Sequence, residues 1–231
     1  MFKLVKAVHN SPAAKDIDPE SARFLEKTYN NYIRCGLDLP GPERARFKEI
    51  KKRLSTLEID FSKRLSEENG GIWFTPEELL GVPADVLSGL KKGEPGTENE
   101  GKLFLTYKYP DSIPTSKYAV SAETRKHVFL GQENKCNDNS PLFREAILLR
   151  DEKARLLGFK NHAAFILDVK MAKTPEKVME FLNDLRERLS PGGEAERKVL
   201  MELKQKEMEE RGEIFDGKFY LWDYRSVIMN N

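Results

Sequence analysis

The feature of the sequence that most constrains its fold is an apolar pattern between residues 43 and 69. Apolar side chains recur there at steps of three and four, at Phe47, Ile50, Leu54, Leu57, Phe61 and Leu65. This spacing places them on one face of an α-helix and leaves the basic run Lys51-Lys52-Arg53 facing water. At about 1.5 Å per residue the helix would be roughly 40 Å long. It therefore either spans a whole domain or pairs with the preceding helix as an antiparallel hairpin.

Start and stop signals predict further helices. Asp18-Pro19-Glu20 combines an N-cap side chain, a proline at the first helical position and an early acid, so a helix should begin there and end near Cys35. Thr75-Pro76-Glu77-Glu78 has the pattern of a capping box and predicts a short helix before Gly81. Periodicity predicts later helices at 122–131, 141–157, 163–172, 175–189 and 194–211.

Only one segment has convincing strand character. Between residues 102 and 109 the side chains alternate, with Leu103, Leu105 and Tyr107 on one face, and Pro110 follows the run. A second strand at 117–120 would complete a hairpin, which needs helices to pack on because isolated hairpins are marginal. The predicted fold class is mainly α, a multi-helix partial domain with one small antiparallel β-hairpin near residues 102–120.

Charge and hydropathy narrow the class of partner. The chain has 39 Lys and Arg against 38 Asp and Glu, interleaved throughout, which gives no support for nucleic-acid binding. The longest apolar run, at 163–167, is far too short to span a membrane, and Lys3 and Lys6 interrupt any signal-peptide core. Cys35 and Cys136 lie in different predicted elements, which favours reduced thiols buried as small hydrophobic groups. We expect a cytoplasmic, non-secreted protein without nucleic-acid or membrane partners.

The sequence contains no recognised catalytic or metal motif. Zinc peptidases of the His-Glu-x-x-His type place two imidazoles one helical turn apart on one ion, and the glutamate takes a proton from the bound water. The histidines of this chain, His9, His127 and His162, each stand in unrelated sequence. Walker, Gly-x-Ser-x-Gly and Cys-x-x-Cys patterns are also absent from the sequence. We predict no catalytic and no metal-binding residue in the chain, and the sequence leaves any substrate-binding residue unknown.

Other charged and aromatic groups have ordinary structural explanations. The acid pairs at 67–68, 77–78 and 209–210 lie in charge-dense segments where carboxylates are usually solvated. The strand aromatics could stack on a peptide or a base, but alternating aromatics more often pack one face against the core. Both alternatives stay open for the strand.

An ordered series of short segments gives a more specific signal. It includes Lys153-Ala154-Arg155-Leu156-Leu157-Gly158-Phe159, His162-Ala163-Ala164, Lys170-Met171-Ala172-Lys173, Glu123-Thr124-Arg125, and Phe215-Asp216-Gly217 with Trp222-Asp223. These segments resemble the zinc metallo-oligopeptidases of the thimet oligopeptidase, neurolysin and saccharolysin family. The resemblance runs from Phe2 to Arg225, so residues 1–225 are predicted to be the N-terminal-side helical portion of an oligopeptidase-like fold and 226–231 an unrelated tail.

The resemblance implies a cytosolic or mitochondrial peptidase that binds one zinc ion and cuts short peptides in a channel between two mainly helical domains. Its zinc motif belongs C-terminal to the counterpart of Trp222-Asp223, so no catalytic or metal residue transfers to this chain, and we expect no zinc bound by it. This chain would contribute one wall and part of the floor of the channel and be inactive alone. The alternative is a non-catalytic helical module that binds peptides or proteins. Exposed apolar residues near Phe219 to Trp222 would then promote self-association.

Overall fold

The computed structural model describes residues 1–230, with side chains described through Ile228. The α-helices in its first half are α1 (Phe2–His9), α2 (Pro19–Arg34), α3 (Gly41–Ser66), α4 (Ala84–Gly89) and α5 (Tyr109–Tyr118). The second half contains α6 (Ala122–Asn134), α7 (Ser140–Leu156), α8 (His162–Leu167), α9 (Pro175–Glu210) and α10 (Tyr224–Asn230). Short 3-10 turns occur at Pro12–Lys15 and Asn137–Asn139. The mainly α fold class is confirmed.

One small antiparallel sheet accompanies the helices. It is built from β1 (Gly71–Phe74), β2 (Lys91–Lys92) and β3 (Leu103–Thr106), with β3 in the middle. Trp73 of β1 and Lys91 of β2 are both opposite Phe104. Trp73 and Phe104 also contact through their rings, with centroids 5.0 Å apart. The strand predicted at 102–109 is therefore confirmed over residues 103–106. The strands that pair with it come from earlier in the chain, not from the predicted hairpin.

The predicted second strand at 117–120 is wrong, because residues 109–118 form α5. Pro110 occupies the first turn of that helix, where a proline costs no hydrogen bond and its fixed φ favours helix initiation. Asp111 also accepts a hydrogen bond from the backbone N–H of Thr106 at 3.2 Å, which ties the end of β3 to the start of α5. The proline marked a helix start as much as a strand end.

Three other helix predictions need correction. The capping box is formed, since Thr75 N–H donates to Glu78 Oε2 at 2.8 Å and Glu78 N–H donates to Thr75 Oγ1 at 3.3 Å, but the segment that follows consists of turns. Helix α8 ends at Leu167, well short of the predicted 172. The helices predicted at 175–189 and 194–211 are one continuous helix, α9, with Pro191 inside it. The helices predicted from Asp18, at 43–69, at 122–131 and at 141–157 are confirmed.

The chain divides into two compact units, each with its own core. Unit 1 comprises Met1–Arg64 and Asp138–Phe181. In this unit, α3 buries the apolar face that the sequence predicted, through Phe47, Ile50, Leu54 and Leu57. Leu65, at the end of the helix, is exposed.

Unit 2 comprises Leu65–Asn137 and Leu182–Asn231. Its core packs around the sheet and contains Phe74, Leu79, Val82, Leu90, Leu105, Ala119 and Val128. The sheet face that includes Leu105 thus packs into the core. This is the first of the two alternatives given for the strand, in which one of its faces packs against the core. In the predicted tail at 226–231, residues 226–230 form the larger part of α10. Residue 231 and the side chains of 229 and 230 lie outside the described residues.

Neither cysteine forms a disulfide bond, and neither is buried as expected. Cys35 is exposed because it caps the C-terminus of α2, and Cys136 is half-buried in a turn with φ of 57°. Among the described residues, no helix combines the length and the apolar content needed to cross a membrane.

Candidate functional site

The most distinctive polar site in the described residues is a buried charge cluster in unit 2, centred on Asp223. This aspartate directly precedes α10 and is 0% exposed. Its Oδ2 accepts a hydrogen bond from the backbone N–H of Tyr220 at 3.0 Å, and its own N–H donates to the Tyr220 carbonyl at 3.0 Å. These paired bonds close a tight turn over residues 220–223, so the local chain fixes the carboxylate in place.

Two basic side chains from other helices meet this carboxylate. Lys204 of α9 donates from Nζ to Asp223 Oδ2 at 2.8 Å and to the carbonyl of Lys218 at 2.8 Å. Arg125 of α6 donates from Nη2 to Asp223 Oδ1 at 3.3 Å and from Nη1 to the carbonyl of Ala119 at 2.7 Å. The side chains of Arg125 and Lys204 are 7% and 9% exposed, so the three charged groups, the Arg125–Asp223–Lys204 cluster, lie almost wholly out of water.

The cluster has one more positive than negative group, and its hydrogen bonding is nearly complete. Aromatic rings supplement the ion pairs, since Lys204 Nζ lies 5.0 Å from the ring centroid of Tyr220. The exception is Arg125 Nε, which is buried and has no hydrogen-bond partner among the described residues. A buried network of this kind is costly to disturb, because removal of one partner leaves the others desolvated and unpaired.

A cavity of about 430 Å³ opens over the Arg125–Asp223–Lys204 cluster. Its walls include Met208, Ile214 and the stacked rings of Tyr220 and Trp222, whose centroids are 4.6 Å apart. At the rim Tyr220 donates its hydroxyl to Asp216 Oδ2 at 2.7 Å, and this bond lowers the pKa of Asp216 and raises the pKa of Tyr220. The site offers apolar and aromatic surface beside charged groups that are already held in ion pairs, which suits binding or structural support more than bond cleavage.

Exposed apolar residues were predicted at Phe219 to Trp222, and the structure confirms this only for Leu221. Leu221 is 73% exposed, whereas Phe219, Tyr220 and Trp222 are half-buried. Trp222 packs against Phe129 of α6 with ring centroids 6.0 Å apart. Much of this aromatic run is therefore packed within unit 2.

The histidines lie in separate surroundings. His9 stacks on Tyr29 with centroids 4.0 Å apart, and His162 begins α8, both in unit 1. His127 belongs to unit 2, where its Nε2 lies 3.3 Å from Glu123 Oε1 on the surface of α6. Among the described residues, no group of three or more His, Cys, Asp or Glu side chains could hold a metal ion.

The donor set does not fit the zinc ion that the resemblance associates with the family. A catalytic zinc site needs three protein ligands that converge on one point, and nitrogen or thiolate ligands are preferred. Both carboxylate oxygens of Asp223 already form ion pairs, one with Arg125 and one with Lys204. The histidine of the same unit, His127, is paired with Glu123.

The other residues singled out in the sequence are mostly solvated. Glu67, Glu77, Glu78, Glu209 and Glu210 are exposed and Glu68 is half-buried, and the basic run at 51–53 is exposed on α3. Sequence reasoning missed the Arg125–Asp223–Lys204 cluster as a unit. Its one visible signal was an aspartate placed inside the aromatic run at 219–224, where a charged residue needs buried partners.

The described part of the chain thus defines a class: a mainly helical protein with a small sheet, in which charge pairing is structural. The sequence model of peptidase family M3 matches residues 115–229, a range that includes all three members of the Arg125–Asp223–Lys204 cluster and runs past Arg225. The chain belongs to peptidase family M3.

Similarity to individual curated proteins supports the same family assignment. The chain is 39% identical to saccharolysin of Saccharomyces cerevisiae over 213 residues, which cover 92% of this chain and 30% of that protein. It is 34% identical to the thimet-like oligopeptidase of Dictyostelium discoideum over 228 residues, or 96% of this chain and 33% of that protein. Oligopeptidase A of Salmonella typhimurium is 33% identical over 187 residues, or 75% of this chain and 27% of that protein. The chain spans about a third of the length of these relatives.

Proposed function

We propose that this chain supplies a non-catalytic helical portion of an oligopeptidase-type zinc peptidase and does not hydrolyse peptides by itself. Residues 1–225 act as one wall and part of the floor of a channel that admits short peptides, in the cytoplasm or in mitochondria. Membership of peptidase family M3, together with the similarity to thimet-like oligopeptidase and oligopeptidase A, supports the peptide substrate class. The boundary at 225 stays a prediction.

The observation that carries the proposal is the dispersal of the histidines. The sequence has 3 His residues, none of them in a His-Glu-x-x-His segment. The chain therefore lacks the two imidazoles on one helical face with which peptidases of the His-Glu-x-x-His type hold zinc and lower the pKa of a bound water. The charged groups that do converge, in the Arg125–Asp223–Lys204 cluster, are held in ion pairs with one another.

A peptidase assay tests the proposal. The purified chain is incubated with a quenched fluorescent oligopeptide, with added zinc and with or without a chelator, and yeast saccharolysin serves as the positive control. We expect no chelator-sensitive cleavage. Zinc-dependent turnover that co-purifies with the chain and disappears with the chelator would overturn the proposal.

A second candidate function, a helical module that binds peptides or proteins, is favoured by exposed apolar side chains on two helices. On α7, Phe143, Ile147 and Leu148 are 56%, 49% and 62% exposed. On α9, Phe181 and Leu189 are 59% and 67% exposed. Such surface promotes self-association or partner capture.

Sedimentation velocity separates the two candidates. We expect concentration-dependent self-association that decreases when Phe143 and Ile147 are both replaced by Ser, because the substitutions remove exposed apolar area. A matched double change on the polar face of α7, Arg144→Ser with Arg155→Ser, should leave the distribution unchanged. A strictly monomeric chain would contradict self-association through this surface, and a monomeric chain that also binds no peptide would count against the binding module.

A further inference from the structure

The same tetrapeptide, Lys-Arg-Leu-Ser, occurs twice along α3. It covers residues 52–55 and 63–66, so Ser55 and Ser66 each follow a lysine at the third preceding position and an arginine at the second. Both serines are exposed in the folded chain. Basic residues at these positions form the charge pattern that one class of serine kinases selects through acidic groups in the substrate groove. The sequence treats the two serines alike, whereas their places in the fold differ.

Ser55 lies in the middle of α3, where its neighbours belong to the core of unit 1. Leu54 and Leu57 are 6% and 2% exposed. Arg53 donates from Nε and Nη2 to the two carboxylate oxygens of Glu145 at 2.6 and 2.7 Å. A kinase binds its substrate segment in an extended conformation, so a reaction at Ser55 requires the centre of the helix to unfold and to expose both leucines.

Ser66 is the last residue of α3, and the chain leaves the helix directly after it. Residues 67–70 are neither helix nor strand, and Leu65, at the matching position of the tetrapeptide, is 47% exposed. Arg64 donates from Nη1 to the carbonyl of Asp138 at 2.6 Å, a surface bond that water or a kinase carboxylate can replace. Because carbonyl groups in the last turn of a helix lack partners within it, this end of α3 opens at little cost.

The surroundings of Ser66 in unit 2 supply positive charge for a phosphate. Ser66 lines a cavity of about 500 Å³ together with Lys108 and Lys135. Both lysines are exposed, and Lys108 Nζ donates to the uncharged side-chain oxygen of Asn69 at 3.1 Å. A serine phosphate carries about −1.5 to −2 charges at pH 7 and has three oxygens that accept hydrogen bonds. These cations offset the repulsion that the phosphate meets from the acid pair at 67–68 and from the C-terminus of α3.

We propose that Ser66 is a phosphorylation site for a serine kinase that recognises basic residues before its target, and that Ser55 is not. In the transfer step the hydroxyl oxygen of Ser66 attacks the γ-phosphorus of ATP. A new oxygen–phosphorus bond forms, the bond from the γ-phosphorus to the oxygen that bridges it to the β-phosphorus breaks, and ADP leaves. The hydroxyl proton passes to a carboxylate of the kinase.

The full chain is incubated with the catalytic subunit of cAMP-dependent protein kinase and Mg-ATP, and quantitative peptide mass spectrometry follows each serine over time. Synthetic peptides of residues 49–58 and 60–69 give the rates for the two tetrapeptides outside the fold. Division of each rate in the chain by the rate in its peptide removes the influence of the residues that follow the serine. We expect the normalised rate of Ser66 to exceed that of Ser55 by about tenfold or more, because only the end of α3 opens readily.

Matched variants test the recognition of the basic residues. Arg64→Gln should lower the rate at Ser66 several-fold in the chain and in its peptide, whereas Arg53→Gln, at the same position of the other tetrapeptide, should leave that rate unchanged. Ser66→Ala should remove the modified species without altering the rate at Ser55. The proposal is overturned if Ser66 stays unmodified in the folded chain or in its peptide, if Ser55 matches its normalised rate, or if Arg64→Gln has no effect.

Discussion

Lys204 Nζ lies 2.8 Å from Asp223 Oδ2, and the two side chains are 9% and 1% exposed. This ion pair joins α9 to the turn that begins α10, and Arg125 of α6 completes it from the other carboxylate oxygen at 3.3 Å. Because water is excluded, each charge depends on the others for stabilisation. The ion pair therefore holds α9 and the turn before α10 together within unit 2.

Replacement of Asp223 should be among the most destabilising single changes in unit 2. Asp223→Asn preserves side-chain volume but leaves Arg125 and Lys204 without a counter-charge in a buried site. We expect a loss of about 3–5 kcal/mol in the free energy of unfolding, measured by urea denaturation followed by circular dichroism.

A double-mutant cycle provides the control for this loss. Lys204→Met should cost clearly less in the Asp223→Asn background than in the parent chain, because the charge it removes is already unpaired. Glu194→Gln alters an exposed carboxylate of α9 in the same unit and should have little effect. Equal costs of Lys204→Met in both backgrounds would show that the pair is not coupled.

Two glycines inside helices should respond in opposite directions to alanine. A Cβ at Gly131 in α6 would lie 2.4 Å from a ring carbon of Tyr107, whereas a Cβ at Gly193 in α9 would meet nothing within 4 Å. Alanine normally stabilises a helix interior by about 1 kcal/mol relative to glycine. We expect that gain for Gly193→Ala, but a net loss of about 1–3 kcal/mol for Gly131→Ala because Tyr107 must move.

Thermal and urea denaturation of the two glycine variants decide this prediction. Gly131→Ala combined with Tyr107→Leu, which removes the blocking ring atoms, should recover part of the loss relative to Tyr107→Leu alone. If Gly131→Ala were as stabilising as Gly193→Ala, the close approach of α6 to Tyr107 would be contradicted.

The sequence predicted those elements whose signals are local. The apolar face of α3 and the cap of α2 at Asp18 depend on neighbours a few residues away, and the structure confirms both. Long-range pairing was not predictable in the same way. β3 has strand character by itself, but its partners β1 and β2 become strands only through hydrogen bonds to it.

Proline was the least reliable signal because its meaning depends on context. Pro191 stands inside α9, where the flanking helical turns on both sides outweigh the local cost. At Pro110 the same residue type opens α5. The Arg125–Asp223–Lys204 cluster was equally hidden, since its members come from two helices and a turn, and no short spacing relates them.

The cap of α2 should contribute stability that depends on pH. Asp18 Oδ1 accepts hydrogen bonds from the backbone N–H groups of Glu20 and Ser21 at 3.1 and 3.0 Å. Bonds with Ser21, followed by the cap bond from Glu20, lower the pKa of Asp18. A carboxyl whose folded pKa is depressed stabilises the fold above its unfolded pKa of about 3.9, and this contribution is lost as pH falls through the folded value.

Asp18→Ala should therefore destabilise unit 1 near neutral pH, with a deficit that shrinks as the pH falls below about 4. The measurement is the urea midpoint of the variant and the parent chain over that range. Asp16→Ala changes a nearby exposed aspartate outside the cap and should show no such convergence. A constant deficit at all pH values would mean that packing, and not the ionised cap, is responsible.

His162 should make unit 1 less stable in mild acid. Its Nδ1 is buried without a hydrogen-bond partner in the described part of the chain, and burial together with the charges of Lys153 and Arg150 lowers the pKa of His162. The unfolded chain, with an ordinary pKa of about 6.5, takes up a proton more readily than the folded chain does. Stability is therefore full above that pKa and falls as the pH decreases through it toward the folded value.

His162→Gln should reduce this loss of stability between about pH 7 and pH 5.5, a window above the titration of ordinary carboxyls. Urea midpoints at the two pH values provide the measurement, and His127→Gln, at an exposed position in the other unit, is the control that should leave the slope unchanged. The ring signals of His162 in NMR spectra should also titrate below about pH 6.5. An identical slope in His162→Gln and the parent chain, with a ring pKa at or above the ordinary value, would show that the imidazole is solvated and charged in the folded protein.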